Sequence, residues 1–235
     1  MRIKNEMQHH SAPWLLNVIR IFIEVLFRIV DGDKTFYNTA NIDWIKDFED
    51  NFQPIKDEYL NLVNNNISIP DWQSISNDPN VRVGNAWKTF LLKAYKKPIE
   101  KNASLCPYTA AFISKYPFIY TTWFSILEAG KTIPIHRGPY NGILRYHLAL
   151  VVPNDAENCY IKVGNDSRYW QEGKSILFDD THLHAVWNNT NERRVVLFVD
   201  VERPLPFPFN YLNRFIINRI NNSKFVSTLF EKINE

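Results

Sequence analysis

Along the chain, the apolar positions change their period twice. Residues 14 to 30, "WLLNVIRIFIEVLFRIV", form a wide apolar surface broken by Arg20, Glu24 and Arg28. Their spacing of four puts the charges on one stripe of a helix, with Glu24 in reach of either arginine. This predicts a helix docked on the domain, with an interfacial membrane helix as the sharper alternative. A membrane span is opposed by the three charges, since a central one costs roughly 2.5–3.5 kcal/mol. Residues 41 to 65 also show helical spacing, started or interrupted by Pro54. Turn formers make 67–80 a loop, 86–95 reads as a strand in preference to a helix, and 103–116 reads as a helix. From residue 118 the texture becomes short apolar runs between turn clusters. Strands are predicted at 119–127, 132–136, 143–152, 159–163, 167–170, 174–178, 184–188 and 194–202. Short strands without intervening helices imply a double-sheet jelly roll or a barrel. "RPLPFPF" at 203–209 ends the β region, and the remaining tail reads as two amphipathic helices.

Composition changes this picture little. With 235 residues, 45% hydrophobic and 14% aromatic, the chain can bury one sizeable core, or one domain plus a helical appendage. A net charge of +2 supplies no field that would dictate nucleic-acid binding. Cys106 and Cys159 are the only cysteines and fit a reducing compartment, with a single bridge between them left open. The N-terminal residues lack a secretory cleavage pattern. A cytoplasmic protein is therefore expected, with peripheral membrane contact through 14–30 as a further option.

The chemistry begins in "IPIHRGPYNGILRYHLAL", residues 133 to 150. On a strand over 143–152, Ile143, Arg145, His147, Ala149 and Val151 share one face. Leu144, Tyr146, Leu148, Leu150 and Val152 share the other, which is wholly apolar. If the first face looks inward, a cation is buried, and an uncompensated buried charge costs several kcal/mol. The strand has no acid of its own. Either a bound carboxylate meets the fork of Arg145, or Arg145 sits at a rim facing water or a distant aspartate. His136 ends the preceding strand, and "FDDTHLHAVW" supplies His182 and His184 on a returning one. Imidazoles so placed suit iron, zinc, copper or nickel. The facial triad of non-haem iron also wants a carboxylate, but two residues after His136 stands Gly138. Asp179 and Asp180 lie close to His184 and could fill the gap, although such a pair before a turn is more often a cap or hydrogen-bond anchor.

Three segments carry a resemblance. "FSILEAGKTIPIHRGPYNGILRYHLALVVP", "YWQEGKSILFDDTHLHAVWNNTNERRVVLFVDVERP" and "LCPYTAAFISKYP" together resemble the aspartyl/asparaginyl β-hydroxylase family, over about residues 84–204. The resemblance implies a mainly β protein with flanking helices, its core a double-stranded β-helix of cupin-like jelly-roll type. It divides the chain into an N-terminal helical region (1–83), the catalytic domain (84–204) and C-terminal helices (205–235). It further implies an Fe(II)- and 2-oxoglutarate-dependent dioxygenase that consumes O2 and releases succinate. Several members have glycine in place of the carboxylate ligand, as here. His136 and His184 match the metal ligands. Arg194 and Ser125 match the pair at the distal carboxylate of 2-oxoglutarate, and Arg145 and His147 the pair at its other carboxylate. His182 falls outside the metal shell, and Arg193 should face away from Arg194. The acceptor implied first is the β-carbon of Asp or Asn in a peptide or protein. A lipid acyl chain at a membrane surface is the alternative. An inactive jelly-roll binding module and a zinc-dependent cupin stand as competing classes.

Overall fold

A computed structural model of the protein describes residues 14–75 and 86–234. The segment before residue 14, residues 76–80 of the expected loop and the expected boundary at 83/84 lie outside them. The helices are α1 (Trp14–Asp31), α2 (Asp43–Asp50), α3 (Phe52–Asn64), α4 (Trp72–Ile75), α5 (Glu100–Leu105), α6 (Pro107–Ser114), α7 (Phe209–Asn221) and α8 (Lys224–Asn234). The strands are β1 (Phe36–Tyr37), β2 (Trp87–Ala94), β3 (Lys97–Pro98), β4 (Ile119–Leu127), β5 (Lys131–His136) and β6 (Ile143–Val151). They continue as β7 (Cys159–Val163), β8 (Asp166–Tyr169), β9 (Ser175–Phe178), β10 (His184–Asn188) and β11 (Arg194–Glu202).

The strands form two antiparallel sheets. The larger runs β1-β9-β6-β11-β4-β2-β3, the smaller β5-β10-β7-β8. All eight strands expected between 118 and 202 are present, with ends within one residue of the expected ones, and the two sheets stack as a jelly roll. Strand alternation decides which core each residue joins. Leu144, Tyr146, Leu148 and Leu150 of β6 bury against Phe48, Ile55, Tyr59, Leu62 and Phe112 of the helices behind the large sheet. Ala149 faces Ile161, Trp170 and Val186 in the space between the sheets. The large sheet is thus buried on both faces, and the helices at 43–64 share its outer core.

Two breaks refine the helical readings. The run 103–116 is split at Cys106, which is extended ahead of Pro107, because a residue before proline is pushed out of the helical region. The run 41–65 breaks at Asn51, which leaves Pro54 in the first turn of α3, where its missing N–H forfeits nothing. Within the expected loop, α4 stacks Trp72 on Trp87 and Trp123. Cys106 and Cys159 are both free and buried, in separate cores, so no bridge joins them.

Candidate active site

Five strands carry the candidate side chains: β4, β5, β6, β10 and β11. Ile133 is buried between the sheets, so strict alternation along β5 would turn His136 outward. The ladder between β5 and β10 is irregular at that point. His184 pairs with His136 and Val186 with Ile133, which sets three residues of β5 against two of β10. This bulge re-aims His136 inward, and the two imidazole rings come to lie 4.1 Å apart between centroids. The Nδ1 of His136 lies 2.8 Å from the Pro134 carbonyl and that of His184 3.0 Å from the His182 carbonyl. A carbonyl only accepts, so each Nδ1 carries the hydrogen and each Nε2 keeps the lone pair. Burial, followed by the neighbouring His136, pushes His184 down to about 4, so it is neutral at ordinary pH.

Behind the histidines, β6 presents Arg145 and His147, and β11 presents Arg194. His147 is buried, both its ring nitrogens lack partners, and burial with Arg194 and Arg145 nearby holds it far below the usual histidine range. Arg194 is 1% exposed. Its Nε and Nη1 have no hydrogen-bond partner, and burial lowers it to about 10. Its guanidinium lies 4.7 Å from the centre of the Trp170 ring, a face-on contact that attracts a desolvated cation. Ser125 is buried on β4 and accepts a 2.8 Å hydrogen bond from the Trp87 indole. Arg193 points away, to Glu128 on the surface side, as alternation requires.

The cation that posed the electrostatic problem in the sequence finds its acids on other elements. Arg145 Nε donates to Asp180 Oδ2 at 2.7 Å, and its Nη1 pairs with Asp200 on β11. Neither partner is on its own strand, which is why the strand alone showed none. The acids of "FDD" have separate duties. Asp179 is an internal anchor, bonded to Thr181 and paired with buried Arg203. Asp180 turns toward the histidines, and a Cβ built on Gly138 would overlap its carboxylate. Asp180 therefore fills the space a side chain at 138 would take. His182 points out to Asp33, 3.2 Å away, outside the imidazole pair. Sequence reasoning set Asp180 near His184 but not against Arg145, and passed over Asp200, Trp87 and Trp170.

Above Arg145 and Asp200 opens a cavity of about 100 Å³. Its walls are largely apolar, from Tyr95, Tyr140, Ile143, Ile217 and Ile220.

Residues 49–204 match the family model described as Aspartyl/Asparaginyl beta-hydroxylase. The chain belongs to the aspartyl/asparaginyl β-hydroxylase family. The match to this hydroxylase family begins inside α2, ahead of residue 84, where the sequence resemblance started. The ornithine lipid ester-linked acyl 2-hydroxylase of Rhizobium tropici is 40% identical over 188 residues, covering 80% of this chain and 67% of that protein. The aspartyl/asparaginyl beta-hydroxylase of Mus musculus is 33% identical over 175 residues, covering 71% of this chain. That match takes in 22% of the mouse protein. A Trichoplax adhaerens prolyl hydroxylase solved in complex with a hypoxia inducible factor peptide aligns with 13% identity and a TM-score of 0.44. The alignment covers 82% of this chain and 94% of that one.

Proposed function

We propose that this family member is an Fe(II)- and 2-oxoglutarate-dependent dioxygenase that hydroxylates the acyl chain of an amphiphilic lipid. One observation carries the cofactor reading. Two imidazoles with their Nδ1 hydrogens tied to backbone carbonyls stand beside a buried guanidinium whose Nε and Nη1 have no partner. A buried cation left so is costly unless an anion completes it, and a dicarboxylate supplies one. His136 and His184 would hold the metal through Nε2, while Arg194 and Ser125 would take the distal carboxylate. Among the described residues, no group of three or more His, Cys, Asp or Glu is arranged to hold a metal. On this reading the protein would supply two ligands, His136 and His184, in keeping with Gly138. When bound, Fe(II) and 2-oxoglutarate supply with O2 an oxidant able to hydroxylate an unactivated C–H bond.

The residues themselves bind and orient. Arg194 anchors one end of the keto acid by charge, and Trp87 fixes the Ser125 hydroxyl toward that end. Neutral His147 donates a single N–H to the other end without adding charge. Asp180, held by Arg145, places an acceptor next to His184.

The acceptor is read from the cavity above Arg145. Its walls are largely apolar, and the Arg145 guanidinium among them already serves two aspartates. A methylene chain fits such a lining better than a side-chain carboxylate, which would need a cation of its own. The lipid acyl 2-hydroxylase relative supports the same choice. Hydroxylation at the β-carbon of Asp or Asn is the second reading, favoured by the family itself and by the mouse relative.

Protein reconstituted anaerobically with Fe(II) and 2-oxoglutarate should give the visible charge-transfer band of the chelate. Exposure to O2 with a dispersed acyl amphiphile should add one oxygen to the lipid and release one succinate. A His136→Ala variant that binds Fe(II) as tightly as wild type would sink the metal assignment. Oxygen gain on Asp- or Asn-containing peptides alone would replace the acyl acceptor by the second reading.

A further inference from the structure

We propose that the protein docks on an anionic phospholipid bilayer through the apolar stripes of α1 and α7, which flank the mouth of the site. The inference deepens the lipid reading and rests on it for the choice of acceptor.

Helix α1 is held to the protein along one side only. Phe27 is fully buried, with its ring beside Tyr140. Glu24 pairs with Arg137 and accepts from Asn141 at its carbonyl, and Arg28 reaches Thr181. The opposite side carries Val18, Phe22, Val25 and Ile29 at spacings of four, three and four, between 50% and 75% exposed. Those spacings trace one continuous apolar stripe on a helix. A monomer in water gains nothing by exposing it, since burying one such side chain is worth about 1.5–3 kcal/mol.

A second stripe stands across the mouth. Phe207, Tyr211 and Phe215, ahead of and along α7, are 78%, 64% and 61% exposed. The inner side of α7 is pinned by Asn213, which donates to the Gly142 carbonyl and accepts from the Tyr140 hydroxyl. The short segment 140–142 is therefore gripped by α1 on one side and α7 on the other. That segment links the end of β5 at His136 to the start of β6. Ile135 and Leu183, one residue before each histidine, add exposed apolar surface at the same end.

Charge selects the occupant. Helix α7 carries no acidic residue; its Arg214 is 58% exposed and pairs with Glu202 at 2.7 Å, while the Arg219 guanidinium lies over the Phe215 ring. Arg20 stands exposed beside the α1 stripe, 3.9 Å from Glu24 and so only loosely paired. Aliphatic stripes with aromatics and arginines next to them suit the boundary between headgroups and acyl chains, where arginine meets anionic phosphate. No helix among the described residues is long and apolar enough to cross a membrane, so α1 lies in the interface rather than spanning it. On such a surface the cavity beside α7 opens toward the acyl region that supplies the proposed substrate.

The test is vesicle flotation of the full chain on phosphatidylcholine vesicles with and without about one third phosphatidylglycerol. Wild type should float with the anionic vesicles, about tenfold less with neutral ones, and less at high salt. Phe22→Glu and Phe215→Glu alter exposed positions. Each should reduce flotation at least about tenfold while the thermal midpoint and turnover of a dispersed short-chain amphiphile stay at wild-type values. Failure of wild type to float overturns the docking face. So does a self-association in solution that Phe22→Glu abolishes, which would assign the stripe to a second copy of the chain. Turnover of the dispersed amphiphile without flotation leaves the lipid reading standing and removes only the docking. Flotation with oxygen gain on peptides alone keeps the docking and removes the lipid acceptor.

Discussion

Arg194 is the residue on which the most energy turns. It is desolvated, bound to no carboxylate among the described residues, and steadied by the Trp170 face. Replacing it with alanine removes an unpaired buried charge together with the proposed anchor for 2-oxoglutarate. The expected result is a loss of 2-oxoglutarate affinity of about 10–100-fold, because a charge-assisted hydrogen bond is worth about 1.5–3 kcal/mol. The ligand-free protein should melt no earlier than wild type. Calorimetric titration and a melting curve check the two halves separately. The imidazoles make a second forecast. His184 and His147 stay neutral in the fold at pH values where an unfolded chain protonates its histidines. Between about pH 6.5 and 4 the unfolded state therefore binds more protons, and stability falls as pH falls through that window. His147→Gln should flatten the slope of denaturation midpoint against pH. At this scale the histidines and arginines were legible, because their types are rare inside apolar strands. The pairing of Arg145 with Asp180 and Asp200 was not, since those acids are 35 and 55 positions away and only pairing across strands brings them together.

Among the elements, β5 and α1 repay comparison. Sequence periodicity set β5 correctly in place, but the bulge that turns His136 inward is a property of the ladder with β10 and has no signature in six residues. Helix α1 was legible as amphipathic, yet its charged stripe is the docked side and its apolar stripe the open one. That inversion follows from partners that arrive from Arg137, Asn141 and Thr181 rather than from neighbours in the chain. Among the described side chains of α1, Phe27 alone is fully buried. Phe27→Ala removes about 3–5 kcal/mol of packing, leaving α1 held by polar contacts such as Glu24 with Arg137 and Arg28 with Thr181. Hydrogen exchange should then accelerate throughout α1 while the amides of β6 and β11 keep wild-type protection.

At the level of the whole molecule, the large sheet is the shared wall of two cores. Ile45, Phe48, Ile55, Tyr59 and Leu62 of the N-terminal helices close its outer face. A chain beginning at residue 84 would expose that face, and it is expected to lack a cooperative thermal transition. Circular dichroism of the shortened chain decides the matter. The jelly roll itself could be read from strand spacing and turn residues, whereas the cover on its outer face could not, because helical periodicity says which side is apolar but not what it lies against. The ends of the two sheets also interlock where the carboxylate of Asp180 occupies the room above Gly138. An acid placed at 138 by one substitution would set two carboxyl groups in one volume and tear Asp180 from Arg145. Only a second change at 180 would make room for it, so the two positions can be altered together but not singly.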